Sequence, residues 1–274
     1  MAFLRILLGS SRSTSPLVVR QITWSDLLHS LKAGYEDFLD VPTHVVLVAL
    51  IYAVVCIFLI TGTFHYPMLP LAFPITAGLA FVAPVAAISL YELSRCREAK
   101  LNHSLAHALK IVHSPSLGAI IVFGLLLSAI CITWLWIANA CYTALFHTEG
   151  ILVVIETALG CVFAGSLFTI SVIALPLLLD RNVGMAVALL ASIRVVAANP
   201  AMMARWGLIV MVMLVIGAMP FFVCWSVVVP VLGHASWHLY RRAIEPASRS
   251  SHDIANLHIL APTWSTRIDG GHAA

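Results

Sequence analysis

The sequence predicts an all-α fold: a polytopic transmembrane helical bundle of about six spans in three hairpins, with an N-terminal amphipathic helix and one short interfacial helix. Three observations carry this. All fifteen Lys and Arg residues fall in four clumps, at 5–32, 95–110, 181–205 and 241–267. Uncharged stretches run from Asp40 to Glu92, from Lys110 to Glu149 and from Arg205 to Arg241. The chain is also 61% hydrophobic and 10% charged, where globular chains are roughly half apolar and about a quarter charged. A hydrocarbon core about 30 Å thick takes about 20 apolar helical residues, so each stretch holds one or two spans.

Residues 1–22 are polar and Ser-rich, offer little to bury, and are expected to be a disordered segment. The apolar run Phe3 to Leu8 is broken by Arg5 and is too short for a signal peptide, which makes the first span an uncleaved anchor. One membrane domain is expected over 23–245, and 246–274 is expected to be a disordered cytoplasmic tail. From Thr23, Ser25 and Asp26 are placed to cap a helix. Its apolar residues Trp24, Leu27, Leu28, Leu31, Tyr35 and Phe38 recur at helical spacing, with Lys32, Glu36 and Asp37 facing away and Pro42 ending it. Such a helix lies on the membrane surface or packs on the rest of the protein.

The first two spans are placed at 44–64 and 68–91, with a turn at His65, Tyr66 and Pro67. Pro70, Pro74 and Pro84 should kink the second, whose freed backbone groups then need partners among neighbouring helices. A charged connector leads to a third span, 117–146, and a tight turn to a fourth, 151–179, in which Gly160 with Ala164 and Gly165 with Thr169 form small surfaces for close helix approach. The apolar segment Val183 to Ala198 is short for a span and reads as interfacial or re-entrant, stopped by Asn199 and Pro200.

Residues 206–240 would make one helix of about 52 Å, too long for the bilayer core, whereas a turn at Gly217 to Pro220 gives two short spans, 203–218 and 221–240. The hairpin also puts every Lys and Arg on one side, as the positive-inside rule favours. Both termini are then cytoplasmic. Span-end charges Glu92, Arg95, Arg97, Asp180, Arg181, Arg241 and Arg242 gather on that face, where pairing would hold the hairpins in register.

Candidate chemistry is sparse. His103 with His107 and His234 with His238 have the i, i+4 spacing that puts two rings on one helix face, so they are candidate metal ligands. The competing reading of His234 and His238 is interfacial anchoring beside Trp237 and Arg241. Glu156 enters the fourth span, and with His65 and His147 it makes a candidate ion or proton pathway. Its alternative is a place among the headgroups. Catalytic residues and cofactors are not predicted, because no phosphate-binding glycine loop, Ser-His-Asp arrangement or C-x-x-C pair is present. The six cysteines, lying singly, read as small core packers. A net charge of +3 reflects loop cations and gives no case for nucleic acid. The partners implied are the lipid bilayer and other membrane proteins.

Several segments resemble a bacterial integral-membrane family, domain of unknown function 2189. They are Tyr66-Pro67; Pro84 with Leu90 to Arg95 and Glu98; Pro176 to Arg181; Ser192, Arg194, Asn199, Pro200 and Trp206; and Pro230 to Arg241 with His234, Trp237 and His238. Ala83 and Cys96 stand where the family's glycine and arginine are expected. The resemblance implies a multi-pass protein of the bacterial inner membrane and gives Glu92, Arg95, Asp180, Arg181, Asn199, Pro200, Trp237 and Arg241 structural roles. Members are sometimes labelled cytochrome oxidase subunit I. That label fails here, since a haem-copper subunit needs histidines deep in several spans and these sit at helix ends and in loops. The leading functional expectation is a non-enzymatic scaffold, assembly factor or component of a membrane complex. A small proton or metal-cation transporter and a haem- or metal-binding redox protein are the alternatives.

Overall fold

The computed structural model describes residues 17–40, 87–99, 116–145, 149–181, 183–218 and 224–245. Spans 44–64 and most of 68–91, the turn at 65–67, the connector carrying His103 and His107, and the segments 1–16 and 246–274 lie outside the described residues. The elements are α1 (Trp24–Asp40), α2 (residues 87–98), α3 (Leu117–Leu145), α4 (Glu149–Ser171), α5 (Ala174–Asp180), α6 (Met185–Ala198), α7 (Pro200–Ala218) and α8 (Trp225–Ala243).

Among the described residues, three stretches are long and apolar enough to cross a bilayer: Leu117–Ala138, Thr157–Asp180 and Pro200–Gly217. Only 28%, 44% and 17% of their apolar windows are buried within the protein. The remaining surface, including Leu125 and Trp136 of α3, Val162 of α4 and Met211, Val215 and Ile216 of α7, is apolar and exposed. Lipid is the medium in which such a surface costs nothing. The predicted spans 117–146, 151–179 and 203–218 therefore coincide with long apolar helices. The stretch 206–240 is two helices, α7 and α8, which fold back on one another: Trp225 Nε1 donates to the Leu214 carbonyl at 2.8 Å.

The fourth span is interrupted at Val172 and Ile173, four residues before Pro176, whose missing N–H leaves the Val172 carbonyl without its helical partner. Ser192 of α6 enters the gap. Its Oγ accepts the Ile173 amide at 3.2 Å and donates to the Thr169 carbonyl at 2.7 Å, so one hydroxyl stands in the rung those two groups would have formed. This also fixes α6, the predicted short apolar helix, against the break through Ala188, Ala191, Ser192 and Val195. Asn199 ends α6 and Pro200 begins α7, at the first position where a missing N–H costs nothing.

Four local expectations change. Thr23, not Ser25, is the N-cap of α1: the Thr23 amide and hydroxyl donate to Asp26 Oδ2 at 2.9 and 2.6 Å, and the Asp26 amide reaches back to Thr23 Oγ1 at 3.4 Å. Asp37 does not face away but is 2% exposed. The docking face of α1 is Leu27, Ser30, Ala33, Gly34, Asp37 and Phe38, while Trp24, Leu28, Tyr35 and Leu39 form a separate exposed apolar ridge. Of the small surfaces on α4, Gly160 faces the Trp134 ring, which a Cβ there would meet at 4.0 Å, but Gly165 faces open space. Among the described cysteines only Cys96 is buried; Cys161 is exposed on α4, and Cys224 is exposed just before α8.

The core joins Phe123 of α3, Leu177 and Leu178 of α5, Val195 of α6, Trp206 of α7 and Trp237 and Tyr240 of α8. Residues 18–20 pair antiparallel with 243–245: Arg20 donates its amide to the Ala243 carbonyl at 2.9 Å and Glu245 its amide to that of Val18 at 3.2 Å.

Candidate functional site

The second half of α8 is buried on most sides, with Val231, His234, Ala235, Trp237, Leu239 and Tyr240 enclosed. Two glycines allow this. A Cβ on Gly34 would lie 2.5 Å from the Ala235 amide nitrogen, so α1 and α8 touch backbone to backbone. A Cβ on Gly233 would lie 2.5 Å from Leu90 Cδ1, which brings α2 against the adjacent face. Polar side chains from four helices meet around this contact in two groups.

The first group centres on Asp37. Its Oδ2 accepts Ser94 Oγ at 2.5 Å and His238 Nε2 at 2.9 Å, and Arg97 pairs with Oδ1. Burial pushes the Asp37 carboxyl up, but the hydrogen bonds from His238 and Ser94 and the charge of His238, with Arg97, outweigh it and hold the group below its ordinary value of 3.8. Ser94 has one proton, given to Asp37, so at 2.7 Å from His234 Nδ1 it accepts. That assigns His234 the Nδ1–H tautomer, with the Leu90 carbonyl as the other acceptor beside the ring. Among the described residues, the buried Nε2 finds no hydrogen-bond partner. Ser94 thus lies between the acid and the imidazole and is 1% exposed, the reverse of an order that would activate it as a nucleophile.

The second group lines a cavity of about 430 Å³ between α2, α5 and α8. Arg95 grips Glu92 through Nε and Nη2, both at 2.7 Å. Arg241 donates to Glu98 Oε1 at 2.9 and 3.0 Å and lies 3.6 Å from Asp180. Trp237 Nε1 donates to Glu98 Oε2 at 3.2 Å and Tyr240 to Asp180 Oδ2 at 2.6 Å. Glu98 lies 139 and 143 positions before Trp237 and Arg241, and Asp180 lies 60 before Tyr240, so both acids meet α8 only in the fold.

The structure brings Glu92, Arg95, Asp180, Trp237 and Arg241 to this one cavity. Asn199 and Arg181 serve elsewhere. Asn199 accepts the Ile22 amide at 2.7 Å and donates to the Arg20 carbonyl at 3.1 Å; Arg181 donates to the Glu245 carbonyl. Both hold the paired chain ends. His234 and His238 share a face, as their spacing predicts, but turn toward Asp37 and Ser94. Among the described residues no three His, Cys, Asp or Glu side chains form a metal-holding group. Glu156 lies on α4 one residue before the apolar stretch Thr157–Asp180, while His65, His147, His103 and His107 lie outside the described residues. Sequence reasoning missed Asp37 and Tyr240. For Asp37 the signal was its place in the series Ser30, Ala33, Gly34 and Asp37, small and polar residues at helical spacing.

Apolar helices with lipid-facing surfaces, closed at one end by a polar junction, define a helical integral membrane protein. Residues 72–180 match the family described as predicted integral membrane protein (DUF2189), the family the motif residues resemble. Neither a curated protein nor a solved structure matches the chain.

Proposed function

We propose that this protein is a non-enzymatic scaffold or assembly factor of a bacterial inner membrane, whose polar junction lies on the cytoplasmic side. One observation carries the reading: three acids of the junction join one helix to another. Asp37, Glu98 and Asp180 each receive donors from a different helix, His238 serving Asp37 directly and His234 through Ser94. A junction of this kind fixes the relative positions of α1, α2, α5 and α8, which is what a platform for a second protein requires. The positive-inside rule places its arginines in the cytoplasm. The test is affinity capture of the full chain from native membranes with quantitative mass spectrometry. A scaffold retains a stoichiometric membrane or cytoplasmic partner, and Arg241→Ala, which opens the junction, releases it. Capture of the chain alone from several mild detergents would end this reading.

A further inference from the structure

Arg95 and Asp180 face the same cavity without joining. Arg95 lies within electrostatic reach of Asp180, yet its Nε and Nη2 are committed to Glu92, and Asp180 uses Oδ2 on Tyr240 and Arg241. Among the described residues, Arg95 Nη1 and Asp180 Oδ1 take no further hydrogen bond, one a donor with positive charge and one an acceptor with negative charge. Among the described residues the lining holds three carboxylates, Glu92, Glu98 and Asp180, against two guanidinium groups, Arg95 and Arg241, an excess of one negative charge. A simple anion is therefore repelled. A simple cation leaves Arg95 unanswered.

Location narrows the ligand further. Asp180 is the last residue of the apolar stretch Thr157–Asp180, so the cavity opens at the depth where a bilayer's hydrocarbon gives way to headgroups. Ala99 is exposed at its mouth and the Trp237 indole forms a wall, a residue pair suited to the apolar edge of a small polar group. We propose that this cavity binds a phosphoethanolamine group, its phosphate on Arg95 and its primary ammonium on Asp180. The ammonium has protons to donate to Asp180, whereas a quaternary choline has none. The group has two sources, the headgroup of phosphatidylethanolamine in the bilayer or a soluble phosphoethanolamine ester.

The inference does not rest on the scaffold reading, because lipid retention and partner capture are measured separately. The full chain is delipidated in mild detergent, and lipid binding is followed by native mass spectrometry and thermal shift with phosphatidylethanolamine, phosphatidylcholine and phosphatidylglycerol of identical acyl chains. Phosphatidylethanolamine should bind at least about tenfold tighter than phosphatidylcholine, the equivalent of about 1.4 kcal/mol. Asp180→Asn should abolish that preference, and Arg95→Gln should weaken binding of both lipids. Ala99→Phe, which blocks the mouth without touching an ion pair, should abolish it while leaving unfolding of the lipid-free protein unchanged. Glycerophosphoethanolamine added alone separates the sources: a thermal shift with it marks a soluble ligand, and a shift with the diacyl lipid only marks the bilayer. Equal binding of the ethanolamine and choline lipids, or an Ala99→Phe protein that keeps the preference, overturns the proposal.

Discussion

The Ser192 hydroxyl of α6 accepts the amide of Ile173 at 3.2 Å and so completes a helix that is not its own. Because the same oxygen donates to the Thr169 carbonyl, Ser192→Ala strands a buried donor and its intended acceptor together. Leaving such groups unmet costs about 1–3 kcal/mol, so this variant should unfold earlier in detergent. Hydrogen exchange localises the effect. The Ile173 amide should exchange faster in Ser192→Ala while amides of α3 keep their protection.

Backbone contact between α1 and α8 leaves no room for a methyl group. In Gly34→Ala the new Cβ would meet the Ala235 nitrogen at 2.5 Å and the Val231 carbonyl oxygen at 2.7 Å, neither of which can move without its helix. Gly233→Ala meets the tip of Leu90 instead, which turns away through a rotamer change. Overpacking typically costs about 1–3 kcal/mol, and Gly34→Ala should fall at or above the top of that range and Gly233→Ala at the bottom. Thermal unfolding of the two variants side by side checks the order.

Asp37 makes stability depend on acid pH in one direction. Its folded carboxyl sits below the ordinary value of 3.8, so the folded state binds the proton less readily than the unfolded state. The stability it contributes is fully present above the unfolded value and is lost as pH falls through the folded one. Chemical unfolding between about pH 6 and pH 3 should therefore show the difference between wild type and Asp37→Ala shrinking below about pH 4. At neutral pH, Asp37→Ala removes the acceptor for Ser94 and the partner of Arg97 and should cost about 3 kcal/mol, the low end for a broken buried pair because Arg97 and His238 can still reach water. A constant difference across the pH range would contradict this account.

The spans were legible because lipid imposes apolar length on each helix by itself, whatever its neighbours are. Leu117–Ala138 and Pro200–Gly217 needed no knowledge of a partner. Asp37 was not legible for the opposite reason. Periodicity assigns a polar residue to the outside, and only the close approach of α8, licensed by Gly34 and Ala235, makes that side an inside. The gathering of Glu92, Asp180 and Arg241 could be foreseen as charges collecting at span ends, but their partners could not, since Glu98 meets Arg241 across 143 positions. Pro176 announced a break and Ser192 gave no sign that it would fill it.

Asn199 shows how much a single amide can hold. It is 4% exposed, and the same side chain that accepts the Ile22 amide at 2.7 Å donates to the Arg20 carbonyl and, within its own helix, to Val195. The other anchors of the extended segment before α1, among the described residues, are Ile22 in the core, Leu17 and Val19 packed against it, and the pairing of Arg20 and Val18 with Ala243 and Glu245. Asn199→Ala leaves the buried Ile22 amide unmet and removes a donor from the half-buried Arg20 carbonyl, at a cost of about 1–3 kcal/mol if the segment stays. Peeling the segment away lets both groups find water and sacrifices only the local contacts, so release is the cheaper response. Limited proteolysis should accordingly cut Asn199→Ala at Arg20 under conditions where wild type is resistant, with little change in global unfolding. Asn199→Asp keeps the acceptor for Ile22 but not the donor for Arg20, and should be cut at an intermediate rate.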